Sequence, residues 1–369
     1  MRHFSYLYDH IIIQRSYYSS ILLVKKEEFT LAKDCQYCGT SVFIPNQGAL
    51  VFNSKHSQLG ENKFPLPLTH ESPDAKVYAY HSKDVLRLAL VDWLGDSAPD
   101  YWVHILNTEN SQSFPISIQH LYERLQHPEL AELIHAGLFE SHLQPIVDMK
   151  NNRVYGYESL LRTKDLSVPP GELFSYASRS GLQSMLDQKA RRTAVKAKSE
   201  HLNVGEKIFI NFLPSTIYVP EFCLKHTFQI VKEFNIDPED LVFEVVETEK
   251  IDDVEHLKSI LETYKASGMK VALDDVGSGY STLEMLSLLQ PDYLKIDRSY
   301  IQNCHKDVNN QAFLFDVMER AKQLNIHVLA EGIELQEEWD WLQRIGVDFG
   351  QGYYIGKPQA VPEKQLILP

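Results

Sequence analysis

The sequence predicts an α/β fold: a modified TIM (β/α)8 barrel with an antiparallel first strand, preceded by a small α+β or mainly β domain. Short apolar runs alternate with stretches of helical period in the second half of the chain, as in repeated strand-helix units. Most of these runs end at a polar residue. The first two runs are joined only by residues 149–152, and a parallel crossover needs a far longer connection.

The apolar runs supply eight predicted strands, because fully buried strands have little internal alternation. In chain order they are 143–148, 153–162, the five runs that end at Asn211, Glu244, Asp274, Lys295 and Glu331, and 349–355. Helices are predicted between them, including 253–267, 281–289, 309–324 and 336–345. This order is typical of a barrel whose helices surround its strands.

Polar side chains at the strand ends predict one shared site, since the carboxyl ends of barrel strands meet at one face. These residues are Glu158, Asn211, Glu244, Asp274 with Asp275, Lys295, Glu331 and Gln351. Carboxylates and one amide oxygen are ligands that Mg²⁺ or Mn²⁺ prefers, and Glu158, Asn211, Glu244 and Asp274 offer them. A second ion needs more carboxylate, which Asp275 and Asp297 could supply.

Ordinary structural explanations exist for three of these segments when each is taken alone. Asp274 and Asp275 could begin a helix after a tight turn. Lys295 and Asp297 could form a surface ion pair on one face of a strand. Glu331 could belong to the first turn of a helix. Asn211 has no such simple explanation, because it lies in an apolar run where an amide is costly to bury without a partner. The combined pattern favours the site.

Eight short motifs carry a resemblance to a known family. They are Gln144-Pro-Ile, Glu158-Ser-Leu-Leu-Arg162, Ile210-Asn211-Phe-Leu-Pro214, Glu244-Val-Val-Glu247, Asp274-Asp275-Val-Gly-Ser-Gly-Tyr-Ser281, Lys295-Ile-Asp297, Ala330-Glu331-Gly-Ile-Glu334 and Gly350-Gln351-Gly-Tyr. In their order and spacing, over roughly residues 130–369, they resemble the EAL family of cyclic di-GMP phosphodiesterases.

The resemblance implies metal-dependent hydrolysis of cyclic di-GMP to linear pGpG, a two-metal site of Mg²⁺ or Mn²⁺, and a homodimer. It implies Glu331 as general base and Lys295 as the group that orients or stabilises the attacking water. Gln144, Arg162 and Gln351 would contact the substrate, and Glu247 would order the loop that carries the aspartates. Two alternatives stay open: a non-catalytic cyclic di-GMP receptor, and a regulator that acts through protein contacts.

Three positions depart from the family pattern. Ser159 replaces the alanine of the Glu-Ala-Leu signature, and its side chain should point away from Glu158 because neighbouring strand residues face opposite sides. Val246 stands where the family usually has threonine, which removes a hydroxyl from the loop near Glu247. Thr163 follows Arg162 where an aromatic or basic residue is usual, so one wall of the substrate groove should differ.

By analogy with the family, in which accessory domains often regulate the hydrolase, residues 1–115 are expected to form a regulatory or sensory domain that could also bind a protein partner. Strand-like segments at 76–81, 86–94 and 102–106 alternate with turn clusters. An amphipathic helix at 120–136 lies within a predicted connector, 116–137, and the barrel follows at 138–369.

Cys35 and Cys38 form half of a zinc-binding pattern in this region. A structural Zn²⁺ site usually needs four ligands, so His56, His70 or His81 would have to complete it. A redox-responsive pair and ordinary thiols in a tight turn are the alternatives.

Composition limits the classes of partner. The formal net charge of −14 argues against binding to nucleic acid polymers. Apolar runs stay well below the roughly 20 residues of a membrane span, so a cytoplasmic protein is expected. The four cysteines provide no disulfide framework.

Overall fold

A computed structural model of the chain describes residues 43–53, 64–94, 101–107, 113–245, 253–277 and 283–362. The chain divides into two compact units, one made of residues 1–136 and 173–185 and the other of residues 137–172 and 186–369. Residues 116–136 of the predicted connector therefore group with the first unit. Cys35, Cys38, His56, Val246 and Glu247 lie outside the described residues.

The first unit contains an antiparallel sheet with the strand order β2-β3-β1-β4-β5. Its strands are β1 Gly48–Asn53, β2 Leu68–Glu71, β3 Ala75–Tyr80, β4 Trp102–Asn107 and β5 Ser113–Ser117, and its helices are α1 Lys83–Leu94, α2 Ile118–Gln126 and α3 Pro128–Ala136. Phe52, Phe64 and Tyr78 form edge-to-face ring contacts in its core. The predicted small α+β domain is confirmed.

Two element predictions for this unit were wrong. Residues 86–94, predicted as strand-like, belong to helix α1, whose buried residues Leu86, Ala89 and Leu90 have helical rather than alternating spacing. Ser82 closes its first turn by accepting the Val85 N–H at 3.2 Å. The single helix predicted at 120–136 is divided into α2 and α3 at Pro128, because proline has no N–H to continue the helix.

The second unit contains a closed barrel of eight strands. They are β6 Phe139–Asp148, β7 Arg153–Thr163, β8 Lys207–Phe212, β9 Leu241–Val245, β10 Lys270–Val276, β11 Tyr293–Ile296, β12 His327–Ala330 and β13 Phe349–Gln351. The helices from residue 170 onward are α4 Pro170–Arg179, α5 Gln183–His201, α6 Pro220–Cys223, α7 Lys225–Glu233, α8 Val254–Ala266, α9 Leu283–Leu289, α10 Arg298–Ile301, α11 Val308–Leu324 and α12 Gln336–Ile345. Most of α4 and the start of α5 belong to residues 173–185, which group with the first unit. The predicted modified barrel is confirmed.

Strand β6 is antiparallel to both of its neighbours, β7 and β13, whereas the other pairs are parallel. Residues 149–152 make the tight turn into β7 that the short connection predicts. The strand begins four residues earlier than predicted, at Phe139. Because β6 runs in the opposite direction, its amino-terminal end lies at the same mouth of the barrel as the carboxyl ends of the other strands.

An apolar layer fills the lower interior of the barrel. Its buried members are Ile146, Phe209, Val242, Ala272, Tyr293, Leu329 and Phe349, and Tyr155 packs against them. The Phe209 and Tyr293 rings meet edge to face at 5.3 Å. Strand residues of opposite parity, such as Leu143 and Phe243, point outward into a second core that the helices share. None of the helices in the described part of the chain has the length and apolar character needed to cross a membrane.

Candidate active site

A polar layer lies directly above the apolar layer, at the mouth of the barrel. Strand side chains alternate, so a residue two positions beyond an interior residue also points inward. Asn211 therefore points inward like Phe209, and Glu244 points inward like Val242. In the reversed strand β6, Gln144 points inward like Ile146. The layer consists of Gln144, Glu158, Asn211, Glu244, Asp274, Lys295, Glu331 and Gln351, one residue from each strand or strand end.

Lys295 lies at the centre of this layer and is almost completely buried. Its Nζ is 2.5 Å from Glu331 Oε1, 3.0 Å from Glu244 Oε1, 3.2 Å from Asp274 Oδ1 and 3.7 Å from Glu158 Oε1. Burial alone would lower the pKa of the Lys295 amine, but the surrounding carboxylates outweigh it and raise that pKa well above its usual value. The amine is therefore a fixed positive charge.

The carboxylates around this amine are poorly compensated. Glu244 is fully buried, and within the described residues neither of its oxygens accepts a hydrogen bond, although Oε1 lies at ion-pair distance from Lys295. Desolvation raises the pKa of Glu244 well above its ordinary value. Desolvation also raises the pKa of Glu331 to about 8, against the opposing effect of Lys295. One lysine does not balance the negative charge of this layer.

Two amides orient Glu158 from opposite sides. Asn211 donates from Nδ2 to Glu158 Oε1 at 2.9 Å, and Gln351 donates from Nε2 to Glu158 Oε2 at 2.8 Å. The side-chain amide oxygen of Gln351, Oε1, is buried and accepts no hydrogen bond from any described residue. Gln144, paired in register with Glu158, donates to the carbonyl of Gly356 at 3.3 Å. The layer therefore directs hydrogen-bond acceptors into the barrel without enough donors to satisfy them.

Asp274 and Asp275 lie near the end of strand β10, in an irregular turn of the backbone where the pairing with β11 shifts. Asp275 has a φ of 52°, in the left-handed region that non-glycine residues seldom occupy, and its N–H donates to Asp274 Oδ1 at 3.0 Å. One carboxylate oxygen from each of Asp274, Asp275 and Glu331 lies within 4.8 Å of the others. The turn therefore brings two successive carboxylates to the same cluster.

These residues fit a hard divalent cation. Five carboxylates, on Glu158, Glu244, Asp274, Asp275 and Glu331, carry five negative charges when ionised, and Lys295 offsets one. The excess of carboxylates over the single lysine is of the sign that divalent cations would neutralise. The buried acceptors without donors, Glu244 Oε1 and Oε2 and Gln351 Oε1, are oxygens of the kind that such ions prefer.

Two other predicted site residues lie apart from this cluster. Arg162 donates from Nη1 to the neighbouring carbonyl of Leu161 at 2.8 Å. Asp297 caps helix α10 by accepting the Ser299 N–H at 3.0 Å. Within the described residues, neither forms a hydrogen bond or ion pair with the polar layer.

Sequence reasoning missed a buried ion pair that supports Asn211. Asp187 and Arg191 on α5 are in contact at 2.8 Å, and both side chains are almost fully buried. Asp187 also accepts the Leu213 N–H at 3.2 Å and the Thr216 hydroxyl at 3.0 Å, which fixes the segment directly after Asn211. The available sequence signal was the pair of opposite charges four residues apart on a helix.

A second missed contact supports the Glu331 loop. Arg298 Nη2 lies 2.6 Å from Glu334 Oε1, and the Arg298 side chain also packs against Gly332. Gly332 has a φ of 70°, and a Cβ there would collide with Arg298. The loop after Glu331 therefore depends on both glycine and arginine.

The chain is similar to known proteins over the region that forms the barrel. Residues 127–358 match the model of the EAL domain. The chain is 34% identical over 237 residues to the probable cyclic di-GMP phosphodiesterase PdeG of Escherichia coli K12, which is 62% of this chain and 46% of that protein. The chain spans about half the length of the curated relatives it matches.

Solved structures of similar proteins also match this chain. A standalone EAL protein from Vibrio cholerae O395, crystallised in a c-di-GMP bound form, is 37% identical with a TM-score of 0.56, over 61% of this chain and 94% of that chain. BlrP1 of Klebsiella pneumoniae, in a complex with manganese and cyclic di-GMP, is 30% identical with a TM-score of 0.56, over 60% of this chain and 56% of that chain.

Proposed function

Because the chain belongs to the EAL domain family, we propose that it hydrolyses cyclic di-GMP to linear pGpG with the help of divalent cations. The observation that carries this proposal is the polar layer, in which buried carboxylate and amide oxygens converge without enough donors to satisfy them. Such an arrangement is unfavourable for stability alone, so it favours a site that binds cations.

We assign cation binding to five residues, Glu158, Asn211, Glu244, Asp274 and Asp275. Asp297 is left out because its carboxylate caps a helix. A bound pair of Mg²⁺ or Mn²⁺ ions would lower the pKa of water and neutralise charge on the phosphoryl oxygens. The BlrP1 complex supports manganese as one suitable ion.

Glu331 is the proposed general base. Its side chain is only 20% exposed at the mouth of the barrel. Desolvation raises the pKa of Glu331 above its ordinary value, so the ionised carboxylate would be a stronger base than a solvated glutamate. Lys295, held 2.5 Å away, would hold the attacking water and stabilise the charge that develops on the phosphate. Gln144 and Gln351 would bind the substrate beside Glu158. Arg162 would bind a phosphate oxygen after its guanidinium turns from the Leu161 carbonyl.

The first unit is the proposed regulatory domain, because it has a sheet and a hydrophobic core of its own. Its signal and any protein partner are separate questions from the chemistry of the barrel. The homodimer, the cytoplasmic location and the zinc site at Cys35 and Cys38 stay predictions from the sequence.

The test is incubation of the purified full-length protein with cyclic di-GMP and either Mg²⁺ or Mn²⁺, followed by chromatography of the products. We expect pGpG to accumulate with metal and not with EDTA. Binding without turnover in every metal condition would favour the receptor alternative, and absence of binding would favour a regulator that acts through protein contacts. Asp274→Asn should weaken the metal titration, and an unchanged titration would remove Asp274 from the ligand set.

A further inference from the structure

Strand β6 continues past the polar layer toward the mouth of the barrel and places two more polar residues on the inward face. Ile146 belongs to the interior layer and Leu143 to the outer core, so even-numbered residues of this stretch point inward. His142 and Glu140 therefore follow Gln144 in steps of about 7 Å along the strand. They lie above the polar layer. A substrate whose phosphate binds at the polar layer would place its other groups beside them.

These two side chains form a pair that leaves acceptors available. His142 Nε2 is 2.9 Å from Glu140 Oε1, and the side chains are 17% and 33% exposed. The second oxygen of Glu140 accepts no hydrogen bond from the described residues. When the neutral imidazole donates its Nε2–H to Glu140, Nδ1 remains as an acceptor.

Because Glu140 contacts His142, it does not pair with the nearby guanidinium of Arg162. Glu140 and Arg162 are register partners on β6 and β7, and an ion pair between them would be the simplest arrangement. Glu140 instead contacts His142, while Arg162 donates to the Leu161 carbonyl. Arg162 is thereby kept available for an anionic group, and Glu140 for a hydrogen-bond donor.

We propose that Glu140 and His142 recognise a guanine base of the substrate, an inference that rests on the proposed function. The guanine edge carries N1–H and N2–H donors side by side, and the two oxygens of the Glu140 carboxylate can accept both while His142 Nε2 holds that carboxylate in place. A carboxylate at the mouth would repel an anionic nucleotide unless it forms such a contact in return. Adenine presents an acceptor at N1 and would be disfavoured at the same place.

A purely structural role for the pair predicts a different outcome. A partly exposed side-chain hydrogen bond contributes little to stability, so its removal would leave the fold and the choice of base unchanged. Selectivity between bases is therefore the quantity that separates the two roles.

The experiment compares cyclic di-GMP with cyclic di-inosine monophosphate, which lacks the N2 amine, in the wild type and in Glu140→Ala, Glu140→Gln and His142→Gln. Binding is measured by calorimetry with metal present, in a Glu331→Gln background that prevents turnover, and KM is measured without that substitution. We expect cyclic di-GMP to bind the parent about tenfold more tightly than the inosine analogue. The Glu140 variants should reduce this ratio toward one.

Glu200→Gln, at an exposed carboxylate on α5, is the matched control and should keep the parent ratio. An unchanged ratio in both Glu140 variants, with cyclic di-GMP still hydrolysed by the wild type, would overturn the base-recognition inference alone. If the wild type neither binds nor hydrolyses cyclic di-GMP, the proposed function fails and the inference fails with it.

Discussion

The apolar and polar layers of the barrel come from the same eight strands but differ sharply in their energetics. Phe209 packs against other rings, and burial of such side chains favours folding. Two residues further along the same strand, Asn211 belongs to a layer of buried charges in which Glu244 accepts no hydrogen bond from the described residues. A shift of two residues therefore separates the part of the interior that stabilises the fold from the part that we assign to chemistry.

Burial of charge is not itself what distinguishes the polar layer. Asp187 is as inaccessible as Lys295, yet its carboxylate receives Arg191, the Leu213 N–H and the Thr216 hydroxyl. Among the described residues, Glu244 has only the positive charge of Lys295 beside it, and Lys295 is shared with three other carboxylates. A satisfied buried acid indicates a structural role, whereas an unsatisfied one indicates a site that needs a ligand.

The largest effect should come from Glu331→Gln, which keeps the shape of the side chain and removes its basicity. We expect kcat for cyclic di-GMP to fall by about 10²- to 10⁴-fold, the usual contribution of a general base. Nucleotide binding should change little, because the proton transfer belongs to the transition state. Steady-state kinetics and calorimetry measure the two quantities. An equal loss of binding and turnover would count against Glu331 as the base.

The next effect tests the apolar layer. Phe209→Ala should lower the free energy of unfolding by about 3–5 kcal/mol, because it leaves a cavity against Tyr293. Urea unfolding provides the measurement. Metal affinity of the folded fraction should remain close to that of the wild type, and Phe209→Leu is the milder control. A large loss of metal affinity without loss of stability would contradict the separation between the layers.

A smaller effect should appear when pH and metal are varied together. Without metal, Glu331 is protonated in the folded protein up to a pKa of about 8, whereas its ordinary value is 4.5. The folded state then binds more protons than the unfolded state between these values, so its stability falls as pH rises through this window. The raised pKa of Glu244 acts in the same direction.

Divalent cations should oppose this loss, because they replace the protons on the carboxylates. At a hundred times the dissociation constant, stabilisation should be about 2.7 kcal/mol. The protein is unfolded with urea at pH 5.5 and pH 8, with Mn²⁺ or with EDTA, and the metal effect should be larger at pH 8. Equal metal effects at both pH values would show that the carboxylates do not exchange protons for metal.

Seven of the eight residues of the polar layer could be predicted from sequence, because each ends an apolar run and the inward direction follows from the alternation of strand side chains. Gln144 was implied only by the family resemblance, because it lies near the start of its predicted strand, which runs in the opposite direction. The same reasoning failed at residues 86–94, where an apolar run fits either a strand or a helix until its packing partners are known. Asp297 has a suitable ligand atom but serves as a helix cap, a choice that depends on the conformation after β11. The support that Asp187 gives to the Asn211 segment depends on contacts 26 residues away along the chain.

The smallest effect belongs to Ser159, which points away from the polar layer although it follows Glu158 directly. Its hydroxyl is 2.6 Å from that of Ser141, and both residues are buried. Ser159→Ala restores the alanine of the family signature but leaves the Ser141 hydroxyl without this partner, which should cost about 1 kcal/mol in unfolding free energy. Ser141→Ala with Ser159→Ala should recover most of that loss, and turnover should remain at the wild-type rate in both proteins. A change in kcat would show that the outward face of β7 influences Glu158, and the two faces of the strand would then not be independent.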